Sequence, residues 1–247
     1  MSLGYLNHSI LSISSGTLSA ESSINKFGRN TAVASGGKEE IWDGSAAYVF
    51  PATALMTSIS QTTNQAAMLG ANIEIQGLNA SWEATTQTAT LNGANTTTVV
   101  TLGTPLIRCF RMKVLADVVS DSPIRVHNAA ENQDYAIISI GKNQTQMAIY
   151  TVPANKVAYM TCYYAHHNPA TGQDPTSNPV ILWASDRDNG YAKQIKNVVG
   201  VPNGGGFQHF FNPYIKFTQK TDVYMTASPV GKAADVSAGF DLIVVDN

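Results

Sequence analysis

Histidines, cysteines, carboxylates and glycine runs are the groups in this sequence that could do chemistry, and their spacing assembles no reaction centre. His166-His167 followed by Asp174 offers the residue types of a metal site. Neighbouring residues on a strand point to opposite faces, so two adjacent imidazoles do not converge on one ion. They read instead as histidines flanking an exposed loop. His8, His127 and His209 have no ligand partner nearby in sequence and read as polar surface or cap residues. Asp186-Arg187-Asp188-Asn189-Gly190 spaces oxygen donors before a glycine as a calcium loop does, but lacks the glutamate that closes an EF-hand. It reads as a turn with a local ion pair. Gly204-Gly205-Gly206 would cradle a phosphate only ahead of a helix N-terminus, and no helical pattern follows.

Nucleophiles are equally isolated. Cys109 and Cys162 sit inside apolar, strand-like runs with no histidine in a nucleophile context, and read as buried free thiols. No Gly-x-Ser-x-Gly elbow is present, and the acidic residues are spread too evenly to nominate a glycosidase pair. No catalytic, metal-ligating or cofactor-binding residue is assigned, and the chain reads as a non-enzyme. Aromatic residues remain. Tyr159, Tyr163 and Tyr164 share one run, and Phe207, Phe210, Phe211 and Tyr214 follow the triple glycine. Tyr163, Tyr164, Phe207, Phe210 and Phe211 are the candidate binding residues: exposed, they would stack on sugar rings or fill a partner's pocket, and buried, they would be core.

The elements that would position these residues are strands. Period-two alternation marks residues 55–61 and 72–76. A Thr-rich run, 82–91, leads into Asn92-Gly93 and a second Thr-rich run through Val100. Both residues of Asn-Gly tolerate the positive φ of a type I′ turn, so this spacing predicts a tight hairpin. Further strands are predicted at 106–116, 124–127, 135–140, 147–152, 156–165, 180–184, 195–201, 214–217, 222–227 and 239–245, with Gly, Pro, Asn and Asp in the gaps. Short strands at this spacing, without a helical period, predict an all-β, antiparallel β-sandwich or jelly roll over 51–247. A polar stretch at 166–179 reads as a long loop, or as a break between two β subdomains. Residues 1–50 are rich in Ser, Gly and Asn, show no core-forming period, and read as an extended N-terminal arm that lies against a neighbouring subunit.

Composition fits a protein that works by contact. Of 247 residues, 44% are hydrophobic and 13% charged, about half of the roughly 25% charge of an ordinary soluble domain. Hydroxyl and amide surfaces bury against other protein without stranding charge. The net charge is −2 with no basic run, so neither a nucleic-acid footprint nor a membrane-surface patch is expected. No apolar stretch reaches the length of a membrane span, and the first residues lack a secretory pattern. Folding in a cytoplasm is the expectation.

Several of these segments resemble a family of uncharacterised virion structural proteins of tailed bacteriophages, especially those of marine and freshwater hosts. Residues 75–82, running on to Leu91-Asn92-Gly93, are similar to a Thr-rich "GLD-x-x-(W/Y)" entry with its "TLNG" turn. Residues 147–156 resemble a "YTVPAGK" turn, with Asn155 where glycine is usual, a mild change because Asn also tolerates positive φ. Residues 217–223 resemble a segment before the family's penultimate strand, 238–245 its closing strand, and 24–44 an arm motif. The resemblance implies a virion component assembled in the bacterial cytoplasm. It fits a capsid decoration (cement) protein acting as a homo-oligomer, a trimer being the favoured number, with the major capsid protein or other virion proteins as partners and no cofactor. A tail adaptor, fibre or receptor-binding module recognising a host-surface glycan is the alternative. A polysaccharide depolymerase is the third class, and would need a cleft with paired carboxylates.

Overall fold

Strand-forming residues punctuated by turn formers build fifteen strands among the described residues, and every pairing between them is antiparallel. The structure, a computed structural model, describes residues 11–18, 20–44, 47–168, 175–187, 190 and 192–247. The chain is all-β, an antiparallel sandwich of jelly-roll character joined to a third, curled sheet.

The first sheet runs β1 (Glu21–Val33), β15 (Ala234–Asp246), β10 (Lys156–Asn168), β13 (Gly206–Phe217). The second runs β12 (Ala192–Gly200), β11 (Pro179–Asp186), β14 (Asp222–Ala227), β2 (Glu39–Glu40), and β9 (Ile149–Thr151) shares the β2 edge of β14. The third runs β5 (Ala84–Thr90), β4 (Asn72–Asn79), β6 (Val100–Val114), β3 (Met56–Gln61), β7 (Ile124–His127), β8 (Asp134–Ile138).

Two apolar cores follow from this layering. Met160, Tyr163, Phe240 and Leu242 of the first sheet meet Val180, Leu182, Val223 and Met225 of the second. The inner face of the third sheet, including Ile73, Ile75, Met112 and Val126, closes over Trp42, Met147 and Tyr224. β14 therefore packs on both faces: Val223 and Met225 belong to one core and Tyr224 to the other. Its unbroken run of buried residues reflects that central position.

The predicted arm is corrected by this topology. Residues 21–33 pair with β15 from Glu21↔Val245 to Val33↔Ala234, and Ile41 and Trp42 are buried in the two cores. Residues 21–42 are thus part of the sandwich, lying against their own chain, and residues 1–10 of the expected arm lie outside the described residues. The alternation was hidden because the inward positions of β1 are Ile24, Lys26, Gly28 and Asn30, mostly not apolar. Gly28 is there for space: a Cβ would collide with the Ile41 carbonyl oxygen and the Ala148 amide nitrogen.

The Asn92-Gly93 hairpin is also corrected. β5 turns back not to β6 but to β4, through the turn 80–83. Asn79 organises that turn by accepting from the amides of Ser81 at 2.8 Å and Glu83 at 3.1 Å. The positive φ, +65°, falls on Trp82. Asn92 instead uses its side chain, whose Oδ1 accepts from the amides of Ala94 at 2.9 Å and Asn95 at 3.0 Å. This local side-chain bonding competes with a two-residue turn and wins here. The loop then crosses to Gln61, whose amide donates to the Thr96 carbonyl at 2.9 Å. The break considered near 166–179 separates no subdomains, since β10 before it and β11 after it face each other across one core.

Candidate functional site

The aromatic candidates sit on β10 and β13, and strand alternation divides them between two faces. β10 carries one extra residue, Thr161, between the pairs Met160↔Leu242 and Cys162↔Asp241. β13 answers with a larger bulge, since Met160 pairs with Ile215 and Cys162 with Phe210. The residues between, 211–214, loop out. Tyr163 and Phe211 point inward and are core, their rings stacked with centroids 5.6 Å apart. Tyr163 is fully buried and closed to a ligand, whereas Phe211, 9% exposed, still reaches the edge of the groove on the outer face. Phe207 also packs on Tyr163, at 5.5 Å, and is half-buried. Tyr164 lies half-buried on the outer face, over Gly239, where a Cβ would meet its ring. Phe210 is the exposed candidate, at 68%, and Tyr214, at 45%, stands beyond the bulge.

These two aromatics border a groove of about 850 Å³ on the outer face of the first sheet, lined also by Cys162, Pro213 and Asp241. The polar wall is already engaged, Asp241 accepting from Asn25 Nδ2 at 2.6 Å. Cys162 and Cys109 are both free and buried, as expected, and burial pushes the Cys109 thiol up to about 12. Such thiols are inert rather than nucleophilic.

The same side of the sandwich is open. β12 ends the second sheet and β13 ends the first, consecutive strands of nine and twelve residues whose outer edges pair with nothing among the described residues. Ile195 and Val198 on β12 are 53% and 50% exposed, adding to Phe210 and Tyr214. Unpaired strand edges flanked by exposed apolar side chains are templates for another chain.

The histidines do not converge. His166 is exposed, its Nδ1 at 3.1 Å from Asn168 Oδ1, and His167 is buried on the opposite face, as the strand alternation predicts. His209 packs edge-on against Phe211 at 4.7 Å. His127 is no surface residue: it is fully buried, with Nε2 3.0 Å from Ser60 Oγ and Nδ1 2.8 Å from the Asn128 carbonyl. A proton on Nδ1 leaves Nε2 to accept from the serine, the geometry of an activated hydroxyl. Ser60 is equally buried, so the pair serves as a satisfied polar contact. His8, Asp174, Asp188 and Asn189 lie outside the described residues. Of the loop 186–190, Asp186 accepts from Thr218 Oγ1 at 3.2 Å, and the Arg187 guanidinium lies 4.8 Å from the Trp82 ring centre. Among the described residues no three His, Cys, Asp or Glu side chains cluster to hold a metal. Gly204 takes φ +66° in a turn that feeds strand β13, not a helix.

The densest polar constellation went unread in the sequence. Arg108 of β6 and Asp222 of β14, almost wholly buried, form a bidentate pair at 2.8 and 2.9 Å. Arg108 Nη1 also donates to the carbonyls of Pro51 and Ile107, and Thr151 Oγ1 donates to Asp222 at 2.6 Å. The guanidinium lies 4.9 Å from the Trp82 ring centre and 5.3 Å from that of Phe50. With four bonds donated by Arg108 and three accepted by Asp222, this is a pin between the second and third sheets. The available signal was one arginine inside the apolar run Leu106-Ile107-Arg108-Cys109-Phe110.

No family model and no curated protein matches the chain. Among solved structures, one described as "Structure of infectious bursal disease virus Gx strain" is similar at 11% identity and a TM-score of 0.24, over 92% of this chain and 72% of that one.

Proposed function

We propose that this chain is a structural protein of a virus particle, and more specifically a capsid decoration or cement protein of a tailed phage that works as a homo-oligomer. The observation that supports it is the open side of the sandwich, where β12 and β13 offer edges unpaired among the described residues, beside Ile195, Val198, Phe210 and Tyr214. In a free monomer such edges invite uncontrolled pairing. In an assembly they supply backbone hydrogen bonds and apolar burial to copies and neighbours, and repetition multiplies modest contacts into a stable shell. A 13% charged composition keeps the desolvation cost of such surfaces low. The resemblance of residues 75–93, 147–156 and 238–245 to phage virion proteins supports the same reading.

A second reading, a tail or receptor-binding module, draws on the groove beside Phe210 and Tyr214, where exposed rings would stack on a glycan. Quantitative gels of purified particles test the choice. A decoration protein is expected in copy numbers matching capsid symmetry, and a handful of copies per particle would refute that role in favour of the tail.

A further inference from the structure

One inward position on β1 carries a charge. Lys26, 4% exposed, reaches from the first sheet to β6, where its ammonium donates to the Phe110 carbonyl. Burial and the neighbouring Arg111 guanidinium together hold its amine down to about 7. The Cys109 thiol also faces it, and burial keeps that thiol protonated and so uncharged near neutrality. Tyr150 of β9 lies nearby among the same residues, its phenol raised by burial and likewise neutral. No carboxylate is among the groups acting on Lys26. A buried ammonium beside a guanidinium is costly unless negative charge arrives from elsewhere.

The space for that charge is present. A cavity of about 370 Å³ opens between β1 and the β4–β6 part of the third sheet. Lys26, Arg111 and Lys156 line it together with the neutral donors Gln76, Thr85 and Thr86, and no Asp or Glu does. Three acids meet lining residues from outside the cavity: Asp246 pairs with Lys156, Asp241 accepts from Asn25 Nδ2 at 2.6 Å, and Glu74 accepts from Gln76 Nε2 at 2.7 Å while pairing with Lys113 at 2.8 Å. Arg111 keeps one bond, from Nη2 to the Asn25 carbonyl at 2.8 Å, and has further donors to give.

We propose that this cavity is an oxyanion-binding site, in which Lys26 and Arg111 hold the charge and Lys156 with the hydroxyl and amide donors completes the shell. The volume admits either a free ion such as sulfate or phosphate, or the acidic group of a sugar. The ligand supplies the compensation that the protein lacks, so binding returns the proton to the Lys26 amine.

Calorimetric titration of the full chain with sulfate at pH 8, in buffers of different ionisation heat and with chloride at matched ionic strength as control, tests this. Saturable binding with proton uptake is expected. Arg111→Gln, at a half-exposed position, and Lys26→Met should each weaken it roughly tenfold or more, with circular dichroism confirming the fold. Should Lys26→Met not fold, Arg111→Gln carries the comparison. Glucuronate binding more tightly than sulfate, with glucose inert, identifies an acidic sugar, and the reverse order identifies a free ion. Absence of saturation with sulfate, phosphate and glucuronate alike, or binding undiminished by the substitutions, overturns the site.

Discussion

Arg108 and Lys26 are both cations inside the protein, yet removing them has opposite consequences. Arg108→Met would leave the Asp222 carboxylate buried with only Thr151 for company. The expected cost is about 3–5 kcal/mol, read as a lowered urea midpoint at unchanged slope. Adding Asp222→Leu should recover much of it, because the stranded charge goes too. Lys26→Met instead removes an ammonium that no carboxylate balances. Below pH 7 both folded and unfolded chains carry the Lys26 proton, and the burial penalty applies in full. Between about 7 and the ordinary 10.5 only the unfolded chain keeps it, so wild-type stability rises with pH across that window through this group. The variant should be more stable at pH 7 and lack that slope in denaturation series at several pH values. Neither residue announces its role in the sequence. A single cation in a strand looks the same whether its partner is a carboxylate more than a hundred residues away or no carboxylate at all.

Strand positions were largely legible, and their partners were not. β7 and β14 occupy the predicted 124–127 and 222–227, since continuous or alternating apolar residues bounded by turn formers mark a strand wherever it packs. β1 escaped because three of its inward positions hold Lys26, Gly28 and Asn30, each explained only by what lies opposite. Turn chemistry misled in the same way. Gly93 has no positive φ and open space around a Cβ, so Gly93→Val should leave the melting temperature nearly unchanged. Asn92→Ala, which removes the acceptor of two amides, should lower stability by about 1 kcal/mol. A left-handed turn position lies instead at Asn155, φ +59°, where Asn155→Val should cost about 1 kcal/mol or more and Asn155→Gly little. Melting curves of the four variants check these orderings.

For the whole molecule, two outcomes separate an integral first strand from a docking arm and an assembling chain from a solitary one. Deleting residues 1–33 removes the partner of β15 and uncovers Phe240 and Leu242, so loss of the cooperative unfolding transition is expected. A folded, cooperative truncation would show that β1 is dispensable. Light scattering across a concentration series should show wild-type oligomers, with Phe210→Asp and Ile195→Asp shifting the population to monomers while leaving the fold intact, both positions being exposed. A wild-type chain that stays monomeric at every concentration would count against assembly through this side. The sequence by itself determined the all-β class, most strand positions and the buried state of the two thiols, because those follow from residue type and a two-residue period. Only the tertiary structure decided which strands pair, that residues 21–43 belong to the sandwich, that Tyr163 and Phe211 are core, and that Lys26 and Arg111 share a cavity. Each of these depends on what the far end of the chain brings opposite, and that information has no local period to read.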